Sequence, residues 1–364
     1  MKKIKTLRNF FFIINSSRSI LSIIAYLGNG NKIHYSSVNL AEKMKKIIGH
    51  KKNYQALSLL LNLSILFILT LNSGCDQSNV TNDATESAER QLQPVKDKYK
   101  KIMEESVTPQ PQFAALDKIT FPIETMPKGF YRALKLRAVY IDLPLDSFNI
   151  PDYPANSSKQ TRAELDYLLF VQNSRTQKEI QKANEIANVS YNPFTRPGDS
   201  NYAAVRANLF YIGHSMGEWF NEKNFPKTAD LVANVWQDQL YYMWSFKLKF
   251  NRCRPEALDS SIKKLEDTPW PAYPSGHATF AYTNAFLVQE LFPEHKDVIY
   301  EDAYETAYSR ELLGVHFPSD SESGRVLGRQ IINHMLKSEK FQKDLLAAKQ
   351  EIEQFKKAKG NTMK

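Results

Sequence analysis

The sequence predicts an all-α domain over residues 111–360. Beyond residue 110 the apolar positions recur at helical spacing, alternating β-branched runs are scarce, and no Gly-rich strand-turn-helix unit of the dinucleotide-binding type occurs. With 364 residues, 42% of them hydrophobic, and only two cysteines, the chain can bury one large core or two ordinary ones. A disordered chain, a collagen and a disulfide scaffold are thereby excluded.

Charge divides the chain unevenly. Residues 1–52 hold 11 Lys/Arg and one Glu, residues 53–75 hold no charge, and the remaining 289 residues carry 37 basic and 38 acidic side chains. The formal charge of +9 therefore belongs to the leading segment, and the body offers no groove for a polyanion; no nucleic-acid partner is expected. Residues 1–43 read as an upstream extension with short apolar runs, Phe10 to Ile14 and Ile20 to Leu27, too short to span a bilayer. Met44 is the expected working start. From there the basic run Lys45, Lys46, Lys51, Lys52 precedes the apolar stretch Ala56 to Leu71 and then Asn72-Ser73-Gly74-Cys75, a secretory signal over residues 44–75. Small residues before Cys75 resemble the processing site of bacterial lipoproteins, in which the cysteine is lipidated; an uncleaved anchor helix is the alternative. Residues 76–110 read as a polar tether, with the folded domain starting near residue 110. Cys253, left without a partner, is expected to be a small buried residue.

Within the body, Thr161 with Glu164 and Thr176 with Glu179 have capping-box spacing, so two helices meet near Arg175, and Tyr191 to Asn201 is a loop. From Thr228 a stripe of Leu231, Val232, Val235, Trp236, Leu240, Met243 and Trp244 runs at helical spacing to Lys247. Charged residues interrupt every long apolar run outside the leader, so a soluble body is expected.

Three clusters follow in order. Lys247 and Arg254 stand seven residues apart, two helical turns, with Pro255 forcing the helix to end, so two cations should converge at a helix end; Lys249 and Arg252 suit a solvated face better. Pro274-Ser275-Gly276-His277 opens an apolar run, which makes Ser275 an N-cap and leaves the N–H groups of Gly276 and His277 facing an anion. In Ser309-Arg310-x5-His316-x3-Asp320, a helix from Glu301 ends at Gly314 and His316 lies in the following turn. Ser319 and Glu322 form the next capping box. Asp320 is within reach of the His316 imidazole, and Arg310 supplies a planar fork for phosphate oxygens. The lone residues His214, His295 and His334 suit surface or satisfied core roles.

The eleven positions of these clusters resemble the signature of the type 2 phosphatidic acid phosphatase superfamily, which also contains bacterial class A acid phosphatases and vanadium haloperoxidases. The resemblance implies a compact helical bundle of the acid phosphatase/vanadium haloperoxidase type. It implies His316 as nucleophile forming a phosphohistidine, His277 as general acid and base, and Asp320 orienting His316. Lys247, Arg254, Ser275, Gly276 and Arg310 would hold phosphate. No metal and no cofactor is expected, vanadate entering only for the haloperoxidase alternative. A neutral and a protonated histidine acting together predict a bell-shaped rate profile centred at mildly acidic pH.

Residues 298–357 look most like class A acid phosphatases, exported enzymes that cleave many phosphomonoesters. That branch usually carries Gly-Ser-Tyr where this chain has Pro271-Ala272-Tyr273. The run 271–280 is similar to vanadium haloperoxidases, and 314–320 to membrane lipid phosphatases. An exported phosphomonoesterase is the expectation, with a haloperoxidase, a lipid-phosphate or pyrophosphate hydrolase, and a catalytically silent phosphate-binding lipoprotein as alternatives. The implied partners are small phosphorylated substrates, a membrane holding the N-terminal lipid or signal anchor in the cell envelope or periplasm, and a second copy in a homo-oligomer.

Overall fold

The computed structural model describes residues 12–17, 20–26, 32–36 and 96–359, and the chain divides into two units, residues 1–82 and 83–364. In the first unit β1 (Phe12–Ser17), β2 (Ile20–Tyr26) and β3 (Lys32–Ser36) form an antiparallel sheet in sequence order, with Ile14 opposite Ile23 and Ile24 opposite His34. The short apolar runs thus overlap strands. Their isoleucine content, broken by Gly28-Asn29-Gly30-Asn31, is a strand-and-turn signal. Residues 44–75, expected to be a secretory signal, with Cys75, and the polar run to residue 95 lie outside the described residues.

The second unit is helical and begins earlier than residue 110. Helix α1 (Asp97–Met103) buries Tyr99 and Ile102, and the Tyr99 hydroxyl donates to the Glu311 carboxylate at 2.8 and 2.7 Å. A polar composition hid this turn, because two apolar residues are enough to dock a helix of seven. Short 3₁₀ turns then lead to α2 (Lys159–Ser174), whose cap is Ser158, its hydroxyl accepting the Thr161 N–H at 3.1 Å. Thr161 is thus inside the helix, and Glu164 is free for another task. Thr176 and Glu179 do form a capping box at the start of α3 (Gln177–Ala187), and the two helices meet at Arg175 as the spacing implies.

After α4 (Tyr202–Ala207), the long α5 (Pro226–Phe250) carries the apolar stripe into the core. It ends three residues before Arg254, at Asn251, which takes the left-handed conformation (φ 49°). Pro255 starts the short α6 (Pro255–Leu258) instead of stopping α5. Helix α7 (Gly276–Leu291) is buried on every side from Ala278 to Val288, as a helix apolar all round requires. It packs against α5, α8 (Lys296–Leu312) and α9 (Pro318–Met335), while α10 (Glu339–Lys359) covers α5. Gly314, at φ +73°, turns the chain out of α8. A Cβ there would also stand 3.3 Å from the Lys263 carbonyl oxygen. No helix among the described residues is long and apolar enough to cross a membrane.

Candidate active site

The ends of α5, α7, α8 and α9 meet where the three clusters converge. Lys247, in the last turn of α5, is almost fully buried, and its Nζ donates to the carbonyl oxygens of Pro271 (2.7 Å) and Ala272 (3.0 Å). Arg254 is not on that helix, because Asn251 has already ended it. The two cations converge through the loop before α7, Arg254 Nη2 donating to Pro271 O (3.3 Å) and Nε to Trp270 O (2.9 Å).

Ser275 caps α7, its hydroxyl oxygen accepting the Ala278 N–H at 3.3 Å. The N–H groups of Gly276 and His277 precede the first intrahelical bond, Thr279 N to Ser275 O, and so point out of the helix start. That start faces Lys247: Met243 Sδ would lie 3.5 Å and Lys247 Cε 3.8 Å from a Cβ built on Gly276. His277 lies within 3.2 Å of the Ala187 carbonyl oxygen through Nε2. A carbonyl only accepts, so Nε2 carries hydrogen, and Nδ1 is the nitrogen left to gain or lose a proton.

His316 follows the Gly314 turn and is buried. Its Nδ1 lies 2.9 Å from Asp320 Oδ2, and Arg254 Nη1 lies 3.1 Å from Nε2. A guanidinium cannot accept, so Nε2 is the acceptor and the proton sits on Nδ1, against Asp320. Nε2 therefore presents a lone pair toward the cations. Asp320 also accepts the Phe317 N–H (3.0 Å). This carboxylate, rather than the expected Ser319 and Glu322 pair, caps α9, which begins at Pro318. Glu322 pairs with Arg325 instead.

Arg310 is buried in the last turn of α8. Its Nη2 pairs with Glu266, while Nε and Nη1 have no hydrogen-bond partner. Two buried guanidinium donors left open are what an anion would satisfy.

Arg252 is the residue the sequence reading misplaced. It is fully buried, not solvated, and its Nη1 donates to Asp320 Oδ1 and Ser319 Oγ, both at 2.7 Å. Its Nη2 lies 3.2 Å from Glu164 Oε2, and the guanidinium sits 3.8 Å over the Phe317 ring. Glu164 in turn accepts the Ser319 N–H at 2.7 Å. Helices α2 and α9 and the α5–α6 loop are thus tied behind the histidine. Nothing in residue spacing marks this tie, since Glu164, Arg252 and Asp320 are separated by 88 and 68 residues.

Charges in this pocket hold one another in check. Burial, then Arg254 and Arg310, push the Lys247 ammonium well below the usual lysine range. Burial likewise lowers Arg310 and brings Arg254 to about 10. Both imidazoles fall well below the ordinary histidine value, His277 through burial, Arg310 and His316, and His316 through burial and Arg254. Burial works against the Asp320 carboxylate, but Arg252 and His316 hold it far below the usual range. Such a site, without an anion, has an excess of buried positive charge beside a neutral nucleophilic nitrogen.

Lys247, Gly276 and His277, which we call its floor, also line a cleft of about 370 Å³ together with aromatic rings; Ser275, Arg254, Arg310 and His316 are not in its lining. Elsewhere, His214 approaches Asp302 (3.3 Å) and Tyr211 O (2.7 Å), and His334 lies 3.2 Å from Ser147 O. Cys253 is buried, its thiol pushed up to about 11 by burial.

Residues 231–343 match the family model described as PAP2 superfamily. The chain is 31% identical over 157 residues to a non-specific acid phosphatase of Providencia stuartii, covering 42% of this chain and 62% of that one. It is 26% identical over 149 residues to a non-specific acid phosphatase of Salmonella typhimurium, covering 38% and 57%. The match thus spans less than two thirds of either relative. Among solved structures, a bacterial vanadium-dependent iodoperoxidase is similar at 19% identity and a TM-score of 0.45, over 67% of this chain and 65% of that one.

Proposed function

We propose that the chain is an acid phosphatase that hydrolyses phosphate monoesters through a phosphohistidine on His316. The observation that carries this reading is the state of His316: Nδ1 tied to Asp320, Nε2 unprotonated and accepting only from the Arg254 guanidinium, and Arg310 donors still open. The PAP2 superfamily match and the named acid phosphatases support it.

In the proposed reaction, Lys247, Arg254 and Arg310, with the Ser275 hydroxyl and the Gly276 N–H, hold the non-bridging oxygens of the phosphoryl group. His316 Nε2 forms a bond to phosphorus as the P–O bond to the alcohol breaks. His277, which takes up a proton at Nδ1 once the negative phosphoryl group is bound, gives that proton to the departing alkoxide. The imidazolium formed at His316 is stabilised by Asp320, which Arg252 holds in place. Water then attacks phosphorus, His277 taking its proton, and phosphate leaves with His316 regenerated. Neutral His316 is what the attack needs, and its depressed proton affinity keeps it neutral into mildly acidic solution. The fixed guanidinium and ammonium groups do the work of charge stabilisation, so we propose no metal and no cofactor.

The test is hydrolysis of p-nitrophenyl phosphate in excess EDTA, with quenching in alkaline detergent to trap label from a ³²P-monoester. Activity that survives EDTA, with acid-labile label lost in His316→Ala, is the expected result. Turnover with equal label in His316→Ala would refute the nucleophile, and loss of turnover in EDTA would refute metal independence. We propose, from the leader alone, export and lipid attachment at Cys75. Metabolic labelling with a palmitate analogue should disappear in Cys75→Ala; labelling that persists rejects that site.

A further inference from the structure

The chemistry above uses the floor of the cleft and leaves its wall unexplained. Helix α5 sends Trp236, Gln239, Leu240, Met243, Trp244 and Lys247 to it, at i, i+3, i+4, i+7, i+8 and i+11. Between the aromatic residues and Lys247 at the floor, Gln239 is the polar member of this stripe. Its side chain is 1% exposed, and its Oε1 has no hydrogen-bond partner. A buried amide oxygen without a donor is costly, so its presence in an apolar wall calls for a ligand group that satisfies it.

Flat rings line the same cleft. Trp236 stacks on Phe280 at 4.7 Å and 16°, and Phe280 lies 5.5 Å from the His277 ring. From the 3₁₀ turn at residues 128–135, Phe130 packs on Trp244 (5.0 Å) and Trp270 (4.6 Å). The same cleft therefore presents an anion-binding floor, aromatic faces and one unpaired acceptor.

We propose that the cleft selects the leaving group, taking phosphomonoesters whose alcohol carries a planar ring with an N–H or O–H donor, the ring against the aromatic wall and the donor on Gln239 Oε1. This rests on the phosphatase reading and deepens it. An alkyl chain would fill the apolar space yet leave Oε1 unpaired, and a small aliphatic alcohol would satisfy neither feature. Only a ring bearing a donor answers both. Gln239 lies away from the floor and acts on binding, so its loss should appear in KM rather than kcat.

The test compares glycerol 2-phosphate, dodecyl phosphate, phenyl phosphate and guanosine 5′-monophosphate with the full chain and with Gln239→Met, a change that conserves volume. The expected wild-type order of kcat/KM places guanosine monophosphate first, phenyl phosphate second and the two aliphatic esters last. In Gln239→Met the KM for guanosine monophosphate should rise about tenfold, the worth of one good hydrogen bond to a buried acceptor, and that for phenyl phosphate less than about threefold. A wild type that prefers either aliphatic ester, or a variant that shifts all four esters by one factor, overturns the proposal. Binding without turnover separates the two readings. Trp236, Trp244 and Trp270, three of the four tryptophans, should be quenched by benzylphosphonate and not by methylphosphonate. Quenching by benzylphosphonate with no ester hydrolysed refutes the phosphatase and keeps the ring site. Hydrolysis with no such quenching refutes the ring site alone.

Discussion

At the scale of single residues, the site is a set of groups whose protonation is decided by neighbours. Asp320 receives hydrogen bonds from Arg252, His316 and the Phe317 N–H, so an amide in its place would present a donor to at least one donor. Asp320→Asn should therefore lower kcat for p-nitrophenyl phosphate by about 10² to 10⁴-fold, since the His316 tautomer with a bare Nε2 is no longer favoured. Activity within threefold of wild type would show that Asp320 does not orient His316. His277 is held neutral in the anion-free site by burial and by Arg310 and His316. A bound phosphate adds negative charge there and should move its pKa upward. An NMR titration of the ring with and without inorganic phosphate checks this; a downward or absent shift would contradict its role as the acid. That upward shift is also why the rate should fall on the alkaline side.

At the scale of elements, the distance between α7 and α9 sets the geometry, because one carries Ser275 and His277 and the other Asp320. Gly324 and Gly328 allow the two backbones to touch. A Cβ on Gly324 would lie 2.8 Å from both Ala278 Cβ and Thr279 N, and one on Gly328 2.8 Å from Thr283 N. Gly324→Ala must move a backbone rather than a flexible side chain. It should cost about 1–3 kcal/mol in denaturant unfolding and lower kcat as His277 withdraws from the site. Wild-type stability and kcat together would show that the helices have slack. The Arg252, Glu164 and Asp320 tie works at this scale too, joining α2 to α9 through a fully buried cation.

Much of the site was legible because its three clusters are local. Ser275 as a cap, the Gly314 turn and the reach from His316 to Asp320 each depend on a few adjacent residues. What spacing could not carry was long-range. Arg252 looked solvated because its carboxylate partners lie far away in sequence, and nothing local marks Gln239. Helix α5 was expected to run to Pro255, yet an asparagine in the left-handed conformation ended it first, a choice made by tertiary packing and not by proline chemistry. The helical body was legible from periodicity, whereas the docking of α1 depended on Glu311, more than two hundred residues away.

That docking gives the whole unit a pH-dependent stability. Glu311 is fully buried, next to the Arg310 of the site, and receives the Tyr99 hydroxyl while Lys98 approaches from α1 and Tyr167, Ser321 and Glu164 surround it. Burial raises its pKa to about 7, against the attraction of Lys98. In the unfolded chain the group titrates near its ordinary value of 4.5. Below that value both states hold the proton; between about 4.5 and about 7 the unfolded state has released it and the folded state has not, so this contribution to stability is lost as pH rises. The two site histidines act with opposite sign, since their depressed values favour the folded state as pH rises through the ordinary histidine range. The difference between wild type and Glu311→Gln removes those shared contributions. Urea unfolding from pH 4.5 to 7 should show wild type losing stability relative to Glu311→Gln across that interval. A flat difference would mean that Glu311 ionises in the folded protein as easily as in water, and that the α1 clasp is not a buried protonated pair.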